Sequence, residues 1–376
     1  MGEHVYYRSS QAMKNTLIRV AVVGLHLSEC RVLGRFEVHG VPMPPLVGAR
    51  RSLPSLLRDG LGGTLYRRAV LKAEHIDDLY RTRNPQYMSA AKDMIESLRK
   101  FDVVVFSTYN LLHPELLLEG LHDKIKVLGF TDDPHSTYVR GIPYLWAFDA
   151  AYYISPSYSS RMGFAELFAQ VGFKRVRWLP LAQPINYPQL TEEDIRNRSV
   201  QIAYVGCPTG SKVDRLRALD QAFGSDFALF GRWGMKGYYG YVRPLLGERP
   251  FFRTVLPISH ADKLALYRNT KIGFNMHVSD LPSECGNMRT YEAAAFGMML
   301  LSDRAGLNLQ TDIFEEGTEA IYYDSIEEAI ELTRFYVNHP EERTRIAMAA
   351  HRRAVAEYSW EKVTHDFLTW LFDGRD

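Results

Sequence analysis

The 376-residue sequence is poor in cysteine and lacks any long hydrophobic run. Its three cysteines lie far apart, at positions 30, 207 and 285, so they offer neither a disulfide framework nor a C-x-x-C zinc site. The apolar stretches are all of strand length, and none approaches the roughly 20 residues that a membrane-spanning helix needs. The N-terminus also lacks the apolar stretch of a signal peptide. We therefore expect a cytoplasmic protein, with peripheral attachment to a membrane left open.

An excess of charge of one sign is absent as well. The net charge of +1 gives no general attraction to nucleic acid or anionic lipid, so any such contact would need a local patch. Residues 50–72 are rich in arginine, but the interleaved acidic residues favour an ordinary solvated face over a patch for DNA or lipid. A hydrophobic content of 46% and a charged content of 24% are typical of a globular protein.

Apolar runs of strand length alternate with amphipathic helical segments along the whole chain, which predicts α/β architecture with parallel sheets. The segment 178–199 carries three prolines and a charged run, and it separates two such blocks. We expect two Rossmann-like domains that face a cleft, with C-terminal helices closing the structure. The predicted limits are 1–185 for the first domain, 186–355 for the second, and 356–376 for a helix that returns to the first. The predicted strands lie at 18–25, 102–109, 125–133, 150–157, 200–207, 226–233, 271–278 and 298–303.

The stretch ECGNMRTYEAAAFGMMLLSD, residues 284–303, carries the clearest functional pattern. Gly286 permits a tight turn and Asn287 is a favoured N-cap. We expect a helix to begin at about Met288 and to have Gly297 as its C′ residue. Because this helix follows the carboxyl end of a predicted parallel strand, its free N–H groups would form a ready site for phosphate.

Two glutamates, Glu284 and Glu292, lie on either side of this helix start. Glu292 is about five residues into the helix, or roughly 7 Å along it, which is about the distance from a diphosphate to the ribose of its nucleotide. Glu284 is placed to accept hydrogen bonds from a sugar on the other side. The alternative is a buried helix packed by its alanines with two glutamates at solvated ends. That alternative does not explain why the glycine–asparagine turn and the pair of glutamates occur together.

This pattern resembles the glutamate–seven residues–glutamate motif of retaining, two-domain (GT-B) glycosyltransferases of the group-1 type. The segment RTYEAAAFGMMLLSD, with the later SIEEAIELTRFYVNHPEERTRIAMAAHRRAVAEYSWEKV, is most similar to the CgeB-like, spore-maturation branch. The resemblance covers roughly residues 200–370 and is weak before them. It implies a nucleotide-sugar donor in the C-terminal domain and an acceptor held largely by the N-terminal domain. Carried over by position, Glu284 would touch the donor sugar and Glu292 the ribose.

The segment YVGCPTGSKVDRL, residues 204–216, departs from that family at one position. The family usually has a glycine–arginine pair and then a lysine, and both cations meet the diphosphate. Here Gly206 is followed by Cys207, while Lys212 holds the lysine position. An exposed lysine at a helix start is an equally good interpretation of Lys212. The missing positive charge could come from one of three arginines, Arg215, Arg232 or Arg289.

In the N-terminal half, the loop FTDDPHST follows a predicted strand and brings together Asp132, Asp133 and His135. The resemblance implies acceptor or donor-sugar contacts there. An aspartate capping a turn before proline is the second interpretation, and a divalent metal site is the third, because further oxygen ligands are not visible. His26, after the first strand, is another candidate, although a lone histidine is more often structural.

We therefore expect a retaining, metal-independent glycosyltransferase that uses a nucleoside-diphosphate sugar, with a UDP-sugar as the first choice of donor. The acceptor is open: a glycan, a small molecule or a protein, with DNA a weaker alternative. A nucleotide-sugar epimerase on the same fold and a non-catalytic protein that binds sugar nucleotides remain as alternatives. The expected catalytic residues are Glu284, Asp133, His135 and Lys212. The expected donor-binding residues are Gly206, Lys212, Arg232, Gly286, Asn287, Met288, Arg289 and Glu292. No metal ligands and no cofactor are expected.

Overall fold

The chain folds into two compact units in a computed structural model. The N-terminal unit comprises Met1–Leu179 and Thr364–Asp376, and the C-terminal unit comprises Pro180–Val363. The structure describes residues 17–25, 27, 29–42, 73–106, 112–130, 141–154, 157–159, 162–182, 184–206, 212–231, 255–277, 287–304 and 313–373.

The N-terminal unit is built on a seven-stranded sheet in the order β2-β3-β1-β4-β5-β6-β9. Neighbouring strands are parallel except for β2, which runs antiparallel to β3 at the edge. The strands of this sheet are β1 (Ile18–Val23), β2 (Arg31–Leu33), β3 (Phe36–Val41), β4 (Val103–Phe106), β5 (Ile125–Phe130), β6 (Ala150–Tyr153) and β9 (Val176–Trp178). A separate two-stranded ribbon is formed by β7 (Ser157–Ser159) and β8 (Met162–Gly163).

Helices cover this sheet because each presents an apolar stripe to it. The clearest is α2, which has Asn84 as N-cap, Pro85 in its first turn, and buried residues at helical spacing from Tyr87 to Leu98. The helices of this unit are α1 (Ala73–Arg81), α2 (Pro85–Leu98), α3 (Pro114–Gly120) and α4 (Phe164–Gln170), with a 3₁₀ helix at Ile142–Ala147.

The C-terminal unit is built on a five-stranded, fully parallel sheet in the order β11-β10-β12-β13-β14. Its strands are β10 (Val200–Val205), β11 (Phe227–Phe230), β12 (Thr270–Asn275), β13 (Met299–Asp303) and β14 (Ala320–Tyr323). Its helices are α5 (Glu192–Arg196), α6 (Lys212–Phe223), α7 (His260–Asn269), α8 (Met288–Ala295), α9 (Ile326–Asn338) and α10 (Pro340–Glu357), with a 3₁₀ helix at Gly224–Asp226.

This second sheet is buried on both faces. Along β13, Met299 and Leu301 belong to one apolar cluster, whereas Met298 and Leu300 belong to another. Successive side chains of a strand point to opposite faces, so the two clusters lie on the two sides of the sheet. Such burial on both faces is the usual condition of an all-parallel sheet.

The last helix, α11 (Trp360–Asp373), belongs to the N-terminal unit from Thr364 onward. Its aromatic residues contact the sheet there, because Phe372 lies 5.7 Å from Phe36 and Phe367 lies 5.5 Å from Tyr152 between ring centroids. Among the described residues, no helix combines the length and hydrophobicity that crossing a lipid bilayer requires.

The α/β class with two parallel sheets that the sequence predicts is confirmed. Every strand predicted from an apolar run is present, and the chain ends in helices as expected. The sequence analysis missed β2, β3, β7, β8, β9 and β14. All of these except β3 are four residues or shorter, and β3 is half-buried, so it lacks a continuous apolar run.

Candidate active site

The order of strands in the C-terminal unit reverses between β10 and β12. The chain leaves β10 to form β11 on one side, and it then returns to form β12 on the other side of β10. Connections that leave two neighbouring parallel strands in opposite directions open a crevice at their carboxyl ends, where α/β proteins bind ligands. Gly206 follows β10 and Met276 follows β12 at this point.

Helix α8 begins beside the end of β12, as the sequence predicts. The side chain of its N-cap, Asn287, accepts a hydrogen bond from the N–H of Arg289 at 2.9 Å. Met288 is 41% exposed, so the start of the helix reaches the surface, whereas Thr290 in the same turn is buried. At the other end Gly297 has φ of +64°, the left-handed conformation that suits a glycine after a helix. The predicted cap, start and C′ glycine of this helix are confirmed.

Small residues let α8 lie close against the sheet. A Cβ atom added to Gly273 on β12 would lie 2.8 Å from the Cβ of Ala293 on α8, which is too close for a side chain. Ala293, Ala294 and Ala295 are all buried. The alanine run therefore sets the depth of the helix, while its first turn stays at the ligand-binding edge of the sheet.

Arg289 joins the ends of the two strands at the reversal point. Its Nη1 donates to the carbonyl of Val205, 3.2 Å away, and its Nη2 donates to the carbonyl of Met276 at 3.1 Å. Its Nε donates to Oδ1 of Asn275 at 3.0 Å, and the guanidinium lies 4.6 Å from the ring centre of Tyr204. Three of its five N–H donors are used in these bonds within the described part of the chain. A fixed positive charge therefore lies at the carboxyl ends of β10 and β12.

Gly206 is required by this position of Arg289. A Cβ atom on Gly206 would lie 2.6 Å from Nη1 of Arg289 and 2.9 Å from the hydroxyl of Tyr204. Gly206, which the sequence analysis assigned to donor binding, therefore also leaves space for the guanidinium of Arg289.

A buried hydrogen-bond network holds the first turn of α8. Nδ2 of Asn275 donates to Oγ1 of Thr290 at 3.0 Å and to Oγ of Ser302 at 3.1 Å. Asn275 is fully buried, and Thr290 and Ser302 are each 1% exposed. Because buried polar groups that are all bonded make a rigid arrangement, this network fixes α8 relative to β12 and β13.

Glu292, the second glutamate of the motif, is buried and paired with a cation that the sequence analysis did not name. Nζ of Lys263, on α7, lies 2.6 Å from Oε1 of Glu292. The side chain of Glu292 is 5% exposed and that of Lys263 is 14% exposed. Burial, followed by the negative charge of Glu292, raises the pKa of the nearby Tyr267 well above its usual value. Glu292 is therefore held in one position by its own protein environment.

A second charged group lies at the ends of β12 and β13. Nδ1 of His277 lies 2.7 Å from Oδ1 of Asp303, and the N–H of His277 donates to Oδ2 at 2.9 Å. Nη1 of Arg215, on α6, lies 3.4 Å from the same Oδ2. Burial alone would raise the pKa of Asp303, but the bonds and charge of His277, together with Arg215, hold that pKa below its usual value. A pocket of about 360 Å³ opens beside this group, with Arg304 and Tyr323 also in its wall.

Lys212 is the first residue of α6 and is only 5% exposed. It is therefore not the exposed lysine of the alternative interpretation. Burial of a lysine is costly and requires partners, so Lys212 is held by its surroundings at the start of α6.

Several predicted site residues lie outside the described residues. They are His26, Asp132, Asp133, His135, Cys207, Arg232, Glu284 and Gly286. Their roles stay predictions.

The sequence analysis missed Lys263, Asn275, His277 and Asp303. The last three had a signal, because each is a polar residue at the carboxyl end of an apolar strand. Lys263 had none, since it is one of several charged residues on an amphipathic helix.

Comparisons with known proteins show which family and which folds this chain is similar to. Residues 213–369 match the family described as glycosyl transferase-like. The spore protein CgeB of Bacillus subtilis is 20% identical over 317 residues, which are 76% of this chain and 90% of that protein.

Two solved structures show the similarity of fold. Sucrose-phosphate synthase from Thermosynechococcus elongatus has a TM-score of 0.54 at 12% identity and covers 95% of this chain and 100% of its own. HepE from Anabaena, solved in complex with UDP and glucose, has a TM-score of 0.51 at 13% identity and covers 75% of this chain and 81% of its own. The family match and the fold together support glycosyl transfer as the activity. These findings confirm the resemblance to GT-B-fold, group-1 glycosyltransferases of the CgeB-like kind.

Proposed function

We propose that this protein transfers a sugar from a UDP-sugar to an acceptor hydroxyl, with retention at the anomeric carbon and without a metal ion. The observation that carries the proposal is the guanidinium of Arg289, which lies between the ends of β10 and β12 beside the start of α8, where Met288 is exposed. A positive charge next to a helix start is an arrangement that binds phosphate. The complex of the similar protein HepE with UDP and glucose supports uracil as the base of the proposed donor.

The donor is proposed to lie along α8. Its diphosphate contacts the first turn of the helix near Gly286, Asn287 and Met288. Its ribose lies about one and a half turns further on, at Glu292. Lys263 and Tyr267 both interact with the carboxylate of Glu292. A carboxylate has about four acceptor positions on its two oxygens, so a remaining position on Oε2 is proposed to accept from a ribose hydroxyl.

Arg289 is proposed to replace the arginine that the family has where this chain has Cys207. The expected position directly follows Gly206, and Nη1 of Arg289 lies so close to Gly206 that a Cβ atom there would meet it at 2.6 Å. Of the other two candidates, Arg215 pairs with Asp303, and Arg232 lies outside the described residues. With the buried Lys212, Arg289 would supply the two cations of the family pattern.

The chemical step balances with these groups. The bond between the anomeric carbon and the β-phosphate oxygen breaks, and the acceptor oxygen bonds to that carbon on the same face. The acceptor proton passes to the departing phosphate, so that UDP and the glycoside are the products. Positive charge from Arg289 and Lys212 would stabilise the departing UDP, because negative charge grows on it in the transition state. Glu284 would orient the donor sugar, while Asp133 and His135 would hold the acceptor.

A panel of nucleotide sugars tests the proposal by thermal shift and by donor turnover. A UDP-sugar at 100 times its Kd should stabilise the protein by about 2.7 kcal/mol, whereas a GDP-sugar should not. Glu292→Gln should raise the Kd for UDP about tenfold, since it weakens acceptance from the ribose. The matched control is Glu331→Gln, the same change at an exposed position of α9 in the same unit, which should bind UDP like the wild type.

Three results would count against the proposal. Failure to bind any nucleotide sugar rejects it. Conversion of the donor sugar to an isomer without an acceptor would indicate an epimerase. Equal UDP binding by Glu292→Gln and Glu331→Gln would remove the ribose assignment.

A further inference from the structure

Three side chains of metal-binding type meet at the edge of the sheet in the N-terminal unit. They are Cys30, Glu37 and His39, and their ligand atoms all lie within 4.8 Å of one another. The proposed transfer reaction uses none of them. They belong to the N-terminal unit, whereas the described donor-binding candidates belong to the C-terminal unit.

Strand pairing, rather than sequence spacing, brings them together. Strand β2 is antiparallel to β3 with Arg31 opposite Val38, so Cys30, one residue earlier, comes opposite His39. Glu37 is two residues before His39 on β3, and residues two apart on a strand share a face. Phe36 and Val38 are buried on the other face, while Glu37 and His39 are half-buried. All three ligands therefore point to one accessible face.

The distances fit a tetrahedral ion. Nε2 of His39 lies 3.2 Å from Oε1 of Glu37. Zinc binds nitrogen and carboxylate oxygen at about 2.0–2.2 Å, which places two such atoms about 3.3 Å apart at the tetrahedral angle. A thiolate at about 2.3 Å from zinc would lie about 3.6 Å from each of them. Sγ of Cys30 lies within 4.8 Å of both atoms, and Cys30 is exposed, so its side chain has room to adjust on metal binding.

The surroundings suit a cation held in one geometry. The ring of His39 packs against Phe101, with 5.3 Å between ring centroids, which restricts its orientation. Arg19, opposite Glu37 on β1, lies 4.0 Å from Asp102, so its charge is shared with another carboxylate. Thiolate and imidazole ligands favour zinc over magnesium or calcium.

We propose that Cys30, Glu37 and His39 bind a zinc ion, with the fourth position open to water. Binding releases the thiol proton of Cys30 to solvent. The ion would tie β2, an edge strand of only three residues, to β3. The sequence analysis expected no zinc site because the chain has no C-x-x-C pair; in this proposal the ligands instead come from two paired strands.

Cobalt(II) titration of the full, metal-stripped chain tests this site without reference to glycosyl transfer. The wild type should bind one equivalent and show the thiolate-to-cobalt charge-transfer band together with the intense visible bands of a tetrahedral ion. Cys30→Ser should abolish the charge-transfer band, and His39→Gln should weaken zinc binding, measured against a chromophoric chelator, by more than about tenfold.

Two controls make the outcome specific. Cys285→Ser should keep the charge-transfer band, and His122→Gln, at an exposed position of the same unit, should keep the zinc affinity of the wild type. Cys30 is exposed, so its substitution leaves the core intact. The proposal is overturned if the wild type binds no equivalent of metal in competition with the chelator, or if the band survives in Cys30→Ser.

Discussion

Two substitutions of Arg289 separate its contribution to the stability of the fold from its contribution to phosphate binding. Arg289→Met keeps an apolar stem over Tyr204 but removes the guanidinium and its bonds to Asn275, Val205 and Met276. Arg289→Lys keeps the charge but not the planar fork that reaches both strands.

The structure gives the size of each effect. Three hydrogen bonds at about 1 kcal/mol each predict that Arg289→Met lowers the free energy of unfolding by about 3 kcal/mol. A domain stability of roughly 5–15 kcal/mol tolerates that loss. A charge-assisted contact to phosphate contributes about 2 kcal/mol, so the Kd for UDP should rise about 30-fold. The Kd for uridine, which has no phosphate, should stay within about twofold.

Calorimetric titration with UDP and uridine, at a temperature where urea unfolding shows each variant to be folded, measures these effects. Arg289→Lys should regain about half of the lost binding free energy for UDP while remaining about 2 kcal/mol less stable than the wild type. If Arg289→Met binds UDP as tightly as the wild type does, the arginine is a structural brace only. An equal loss of UDP and uridine affinity would show that the pocket has collapsed rather than lost a charge.

Two further perturbations test the charged pairs. Lys263→Met leaves the buried carboxylate of Glu292 without its cation and should cost about 3 kcal/mol of stability in urea unfolding. Adding Glu292→Gln to Lys263→Met should restore more than half of that loss, and an equal loss in the single and double variants would contradict the pairing. The pKa of Asp303 is held below its usual value, so the stability that Asp303 contributes is present at pH 7 and is lost as the pH falls through that lowered pKa. The stability difference between the wild type and Asp303→Asn should therefore shrink as the pH falls below about 4, the usual pKa of an aspartate, and a difference independent of pH would contradict the assignment.

Local signals predicted much of the C-terminal unit. Some features depend only on a few neighbouring residues and can therefore be predicted from the sequence alone. They are the cap at Asn287, the glycine that ends α8, and the apolar runs of β12 and β13. The pairing of Lys263 with Glu292 could not be predicted in the same way, because it joins residues 29 positions apart through the packing of two helices. The pairing of β2 with β3 in the N-terminal unit could not be predicted either, because their partly exposed residues give no continuous apolar run.

The proposed role of Arg289 would explain how glycosyl transfer tolerates the missing motif arginine after Gly206. A cation near a phosphate acts through its position, and that position can be reached from a different element of the same crevice. In this chain β10 ends at Val205 and is followed by Gly206 without an arginine after it. The guanidinium of Arg289 instead comes from α8 and donates to the carbonyl of Val205. The absence of a side chain on Gly206 is what allows the approach, because a Cβ atom there would displace Nη1. Gly206→Ala should therefore resemble Arg289→Met in UDP binding, although it changes no charge.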